Sequence, residues 1–196
     1  MATLQTRVIN ILRTPKTEWQ SIARESTDVG HLYAEYIAPL AAIPVLAGFI
    51  GLTLVARPAL GIRRPFGLSA GFMQMVVQYL LSLAGVYITA VVVEWLAPKF
   101  KSSGSRVDAL KLVAYSCTAG WVSGIFWALP LFGFMTFLGF LYTVYLFYVG
   151  LPRVMNTPAD QAVVYLIVCV LVIIVIYVLF GGIATALALG NLAANR

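Results

Sequence analysis

"ALKLVAYSCTAGWVSGIFWALPLFGFMTFLGFLYTVYLFYVGL", residues 109–151, decides the fold of this chain. The run is almost unbroken in apolar side chains, and it is too long for one crossing of a bilayer, which takes about 20 helical residues. Pro130 divides it. Proline has no backbone donor and clashes with the turn before it, so a tight reversal is placed there with one helix on either side. Working outward for further apolar runs gives five spans, at about 36–56, 72–97, 109–129, 131–151 and 162–189. The second and fifth exceed the minimum length and imply tilt or protruding ends. Gly181 and Gly182 mark a bend in the fifth.

Composition agrees with five crossings. Hydrophobic residues make up 61% of the 196 residues and charged ones 10%, with a mean hydropathy of +0.93. Soluble domains carry about a quarter charged residues, so the expected class is an all-α polytopic membrane protein. The first 35 residues are polar and of mixed charge, unlike the basic-then-apolar layout of a cleaved signal peptide, so the first span is expected to remain. Two parts follow: an N-terminal interfacial segment, 1–35, and a five-helix transmembrane part, 36–196. Cys117 and Cys169 both fall inside spans and act there as small apolar side chains rather than as a disulfide or metal pair. The net charge of +6 is scattered over helix ends instead of clustered, which fits orientation and anionic lipid headgroups and gives no reason to expect nucleic acid.

Lysine and arginine set the orientation. Arg7, Arg13, Lys16, Arg24, Lys99, Lys101, Arg106, Lys111 and Arg153 fall on one side, and Arg57, Arg63, Arg64 and Arg196 on the other. The richer side is the cytoplasm, so the N-terminus is expected inside and the C-terminus outside. Trp19 and Trp95 are expected near the inner interface and Trp127 near the outer one. Before the first span, Leu4, Val8, Ile11 and Leu12 recur at helical spacing, with Arg7 and Arg13 placed on the polar side. Thr14 and Pro15 then read as the cap and first position of a second short helix bearing Trp19 and Ile22. One or two helices are therefore expected to lie on the inner membrane surface.

Several constellations inside the spans stand out. Ser116, Gly120, Gly124 and Ala128 give the third span a small residue at every fourth position, a surface on which another helix can come close. Gly182, Ala186 and Gly190 repeat the device in the fifth. Gln74, Gln78, Ser82, Gly85 and Thr89 share one stripe of the second span, a face that lipid rejects. That face is either a polar path for a small solute or ion, or a set of interhelical hydrogen bonds worth about 0.6 kcal/mol each. Glu94 lies about 6 Å from the end of its helix and meets the negative end of the helix dipole. It calls for a cation: Lys111 is the natural partner, with Lys99 or Lys101 as substitutes.

"LYTVYLFYVGLPRVM", residues 141–155, spaces three phenols three apart. Tyr148 can anchor at the headgroups, whereas Tyr142, about 9 Å deeper, is expected to donate its hydroxyl to another helix or a backbone carbonyl. Gly150, Leu151 and Pro152 read as the end of the helix and the exit from the membrane. Enzyme signatures do not hold up. "GLSAG", residues 67–71, matches a serine-hydrolase pattern, but Ser69 is placed on the outer side and the sole histidine, His31, on the inner one. No phosphate-binding glycine loop, HExxH or paired-cysteine motif is present, so neither cofactor nor metal is expected.

Taken in order, "ILRTPKTEWQSI", "YIAPLAAIP", "VAYSCTAGWVSGIFWALP" and "LYTVYLFYVGLPRVM" make the chain resemble the Yip family, five-span membrane proteins first known as Ypt/Rab-interacting, and in particular its bacterial branch. The resemblance covers nearly the whole chain and implies a polytopic protein of the cell inner membrane with a cytoplasmic N-terminus. Tyr36 and Pro39 only loosely echo the eukaryotic signature, and no long N-terminal region is present, so Rab binding is not carried over. The expected function is a noncatalytic membrane-organising or protein-interaction scaffold, in contact with the lipid bilayer and with other membrane proteins or a second copy of itself. The alternatives are a small-solute or ion transporter using the Gln74 face and, more remotely, an intramembrane enzyme.

Overall fold

The computed structural model describes residues 3–51 and 68–194. Among them, five helices are long and apolar enough to cross a membrane, and no strand occurs. Two short helices come first, α1 (Leu4–Arg13) and α2 (Pro15–Arg24), followed by the first span, α3 (Val29–Ile50), with a π-helical turn at Tyr33–Ile37. The remaining spans are α4 (Leu68–Leu96), α5 (Arg106–Ser123), α6 (Gly133–Val154) and α7 (Ala159–Ala194). Arg57, Arg63, Arg64, Gly67 and Arg196 lie outside the described residues.

Local sequence explains the boundaries. Thr3 caps α1 by accepting from Thr6 N, and Pro15 opens α2 at a position where its missing donor costs nothing. Ser105 and Asp108 form a reciprocal capping box that starts α5. Between α5 and α6, two 3-10 turns, Gly124–Ala128 and Pro130–Phe132, make the reversal around Pro130. The first span begins at Val29 rather than at residue 36, so the division at residue 35 falls inside a continuous helical stretch. α7 runs as helix through Gly181 and Gly182.

The exit expected at Gly150–Pro152 is corrected. α6 continues to Val154 and stops at Asn156, whose φ of 51° is left-handed. Gly150 serves close packing instead: a methyl there would lie 2.6 Å from Leu112 Cδ1 and 2.8 Å from the Trp19 ring. The chain tolerates Pro152 in the last helical turn, and the Arg153 guanidinium donates to the Val149 carbonyl at 2.6 Å.

α5 is the axis. It packs against α1, α3, α4 and α6, and 67% of its most apolar stretch is buried, against 22–33% for the other spans. The α4–α5 and α6–α7 connections are zipped together at one end of the bundle. Ser103 N donates to Met155 O at 2.9 Å, Asn156 Nδ2 to Ser103 O at 3.0 Å, and Ser102 Oγ to Thr157 Oγ1 at 2.8 Å. α1 and α2 dock on that same end, against α5 and α6.

Candidate functional site

Polar chemistry gathers where the N-terminal helices meet α5. Arg7 falls three residues after Leu4 and four before Ile11, which places it on the inward stripe of α1. This corrects its expected place on the polar side: it is only 4% exposed. Its guanidinium donates to Glu18 Oε1 at 2.5 Å and to both Glu25 oxygens at 2.5 and 2.6 Å, with the Tyr115 ring of α5 centred 5.7 Å away. Burial alone would lower the Arg7 pKa, but the hydrogen bond and charge of Glu25, with Tyr115 and Glu18 adding to them, raise it overall. Arg7 therefore stays charged and its two carboxylates stay compensated.

Trp19 is fully buried within the protein, with its ring edge-on to Tyr115 at 6.2 Å. Trp95 and Trp127 are exposed. Below Trp19, Tyr36 of α3 and Tyr115 lie 4.5 Å apart, and the Tyr36 hydroxyl shares a 2.6 Å hydrogen bond with Thr118.

The expected Glu94–Lys111 pair does not form: Glu94 pairs with Arg106, which also reaches the Tyr87 hydroxyl at 3.4 Å. Arg106 and Lys111 are five residues apart on α5, hence about 140° apart around it, so only one of them can face α4. Lys111 turns to the hairpin instead, where it donates to the Glu25 carbonyl at 2.6 Å and lies 3.7 Å from Asp108. Glu25 is the C-cap of α2, and its carbonyl has no partner within the helix, so the ammonium caps it.

The small-residue positions of the third span meet different neighbours. A methyl on Gly124 would lie 2.5 Å from Pro44 Cβ of α3, and Gly120 N donates to Thr143 Oγ1 of α6 at 3.0 Å. Ser116 is buried, and its hydroxyl has no hydrogen-bond partner among the described residues. Ala128 lies beyond the α-helix, in the 3-10 turn. The closest approach involves Gly139 of α6, where a methyl would collide with the Ser123 side chain and come within 3.0 Å of the Ala119 carbonyl. Sequence reading passed over Gly139; a glycine set among the phenylalanines of "FGFMTFLGF", residues 132–140, was the available signal.

On α4, Thr89 is buried and Ser82 Oγ donates within its own helix to Tyr79 O at 2.7 Å. Gln74 and Gln78 are half-buried, and among the described residues neither amide has a hydrogen-bond partner. Interhelical hydrogen bonds come mainly from tyrosines. Tyr33 donates to Leu83 O at 2.8 Å, Tyr79 to Ala38 O at 3.0 Å, and Tyr165 to Val93 O. Tyr142 donates to Leu12 O at 2.8 Å, a last-turn carbonyl of α1 that has no partner within its own helix. Tyr145 and Tyr148 are exposed. Ser69 opens α4 at the end of the bundle remote from His31.

Apolar spans clasped by tyrosine hydroxyls, with an ion cluster sealing one end, define a polytopic helical membrane protein. A family model described as the Yip1 domain matches residues 9–181, and the chain belongs to that family. It is 29% identical over 151 residues to the inner membrane protein YohC of Escherichia coli K12, covering 75% of this chain and 77% of that one. The same protein from Escherichia coli O6:H1 matches to the same extent. No solved structure matches the chain.

Proposed function

We propose that this Yip1-family protein is a noncatalytic scaffold of the inner membrane, organising lipid or partner proteins through its outward helix faces. Its N-terminus is read as cytoplasmic and its C-terminus as outside, on the lysine and arginine count and on the similarity to an inner membrane protein. One observation carries the reading. The hydroxyls of Tyr33, Tyr79 and Tyr142 are committed to backbone carbonyls of neighbouring helices and that of Tyr36 to Thr118, while α7 turns Val164, Ile167, Leu171, Val175 and Val178 outward. Such a bundle offers apolar contact surface more readily than a wet path.

The half-buried amides of Gln74 and Gln78 support a second reading, a route for a small solute or ion along α4. Flux through the purified protein in liposomes separates the two. The scaffold reading predicts no flux above that of empty vesicles; a flux that Gln78→Leu abolishes while the protein stays folded would discard it. Cysteines at positions 65 and 103, labelled from each side in turn, test the orientation. Position 103 is expected to react from the cytoplasmic side, and reaction only from outside would invert the topology.

A further inference from the structure

The turn between α1 and α2 lies far down the flank of the bundle. Tyr142, whose hydroxyl holds the Leu12 carbonyl, stands twelve residues before the end of α6 at Val154, about 18 Å along the helix. α2 then climbs back toward that end: Trp19 packs on Gly150, and the Glu25 carbonyl meets Lys111. Arg13 and Lys16 flank the turn, and both are exposed. We infer that they hold the phosphate of an anionic phospholipid whose chains lie along the outward stripe of α6. Neither the scaffold nor the transporter reading is needed for this, only a membrane-spanning α6.

Two features bring headgroups to that depth. The first is the pair of cations. α6 is a span of 22 residues, enough to cross a hydrocarbon layer of about 30 Å, so a charge beside Tyr142 must find a partner or draw phosphate and water to itself. Ion pairs among the described residues use Arg7, His31, Arg106 and Lys111 as their cations and leave Arg13 and Lys16 without a carboxylate. The second is the outward stripe of α6, Phe134, Leu138, Leu141, Tyr145 and Tyr148, all exposed. Apolar side chains give way to phenols at Tyr145, and phenols gather where lipid chains meet headgroups. The Tyr145 ring lies 5.4 Å from that of Tyr142, so this boundary is level with the hairpin turn. It falls nine residues, about 13 Å, inside the end of α6. On α7, by contrast, Val163 and Val164 already face outward within about 8 Å of the helix start at Ala159. The headgroup layer therefore steps inward beside the hairpin.

Charge selects the lipid. α1 and α6 contain no acidic residue, and the acid of α2, Glu18, is buried on Arg7. A headgroup with a net negative charge, such as phosphatidylglycerol, meets both cations, whereas the quaternary ammonium of phosphatidylcholine is repelled by them. Arginine presents a planar fork to phosphate oxygens and lysine a compact point charge, and the Tyr145 hydroxyl adds a donor at the same level. A free phosphate would meet the same cations but would leave the exposed Phe134, Leu138 and Leu141 uncovered, so the occupant is the lipid.

Native mass spectrometry of the full chain, released from nanodiscs of phosphatidylglycerol and phosphatidylcholine in equal parts, tests the site. Phosphatidylglycerol is expected to stay bound in preference to phosphatidylcholine. Arg13→Gln combined with Lys16→Gln should weaken that retention about tenfold, whereas Arg24→Gln combined with Lys101→Gln, which removes the same charge from exposed positions elsewhere, should change it less than about twofold. Equal loss in the two double variants reduces the effect to surface charge and overturns the inference, as does an unchanged retention in the first. Phosphatidylglycerol held no better than phosphatidylcholine overturns it too, and leaves the two cations to an acidic segment of a partner protein. A second measurement leaves both cations in place. In the Cys117→Ala, Cys169→Ala background, a nitroxide at Thr17, exposed beside the turn, is compared in liposomes with one at Ser103, exposed at the end of the bundle. The label at Thr17 should collide several-fold less often with a water-soluble nickel chelate. Equal collision at the two sites puts the turn in open water and contradicts the seat of the lipid there.

Discussion

α5 and α7 are both membrane-crossing helices of one chain, and they are opposites. α7 has the highest mean hydropathy of the five spans, 2.7, and the least buried stretch, 22%; α5 has the lowest hydropathy, 1.2, and the most buried, 67%. In water the ranking would be reversed, because apolar surface leaves the solvent. In lipid, apolar surface is already at home, so burial goes to the helix with small and polar side chains, which can pack closely and hydrogen-bond. α5 carries Lys111, Tyr115, Ser116, Thr118, Gly120 and Ser123 into the interior, whereas α7 spends Val164, Ile167, Leu171 and Val175 on the outside.

Substitutions should split along that line, with stability read as thermal unfolding in detergent. The largest loss is expected for Arg7→Ala. It leaves Glu18 buried, and Glu25 half-buried, without their cation beside α5 and should cost about 3 kcal/mol, whereas Ile9→Ala, on the exposed side of the same helix, should cost little. Next comes Gly139→Leu, which overpacks the α5–α6 contact and should cost about 1–3 kcal/mol. Tyr142→Phe removes one hydrogen bond to Leu12 and should cost about 0.5–1.5 kcal/mol. Smallest is Gly181→Leu on α7, where a methyl meets nothing within 4 Å among the described residues, and a change below about 0.5 kcal/mol is expected. If Gly181→Leu proved as damaging as Gly139→Leu, the contrast between the two helices would collapse.

The spans were legible because hydropathy reports a solvent, and a bilayer is a uniform one. Proline at position 130 was legible for a similar reason, since its backbone restriction is local. Glu94 and Lys111 show where such reading stops: both are charges near the same membrane face, and only the rotation of α5 decides that Arg106 reaches Glu94 while Lys111 reaches the hairpin. Arg7 was misplaced because an arginine beside apolar residues is ordinarily read as solvated, although its spacing to Leu4 and Ile11 marked the inward face. What makes burial tolerable, two carboxylates 11 and 18 residues later, depends on the turn between α1 and α2. Gly150 and Pro152 looked like a helix end because both disfavour helix locally, but the approach of Trp19 requires a residue without a side chain at position 150.

The contrast between α5 and α7 is tested most directly by oxygen accessibility of nitroxide labels in liposomes, placed one at a time in a Cys117→Ala, Cys169→Ala background. Labels at Val164, Leu171, Val175 and Val178 of α7 should collide freely with lipid-dissolved oxygen, while labels at Ala114, Thr118 and Ala119 of α5 should be shielded. Equal accessibility on the two helices, or shielding of α7 with α5 open, would contradict the assignment of α5 as the axis of the bundle.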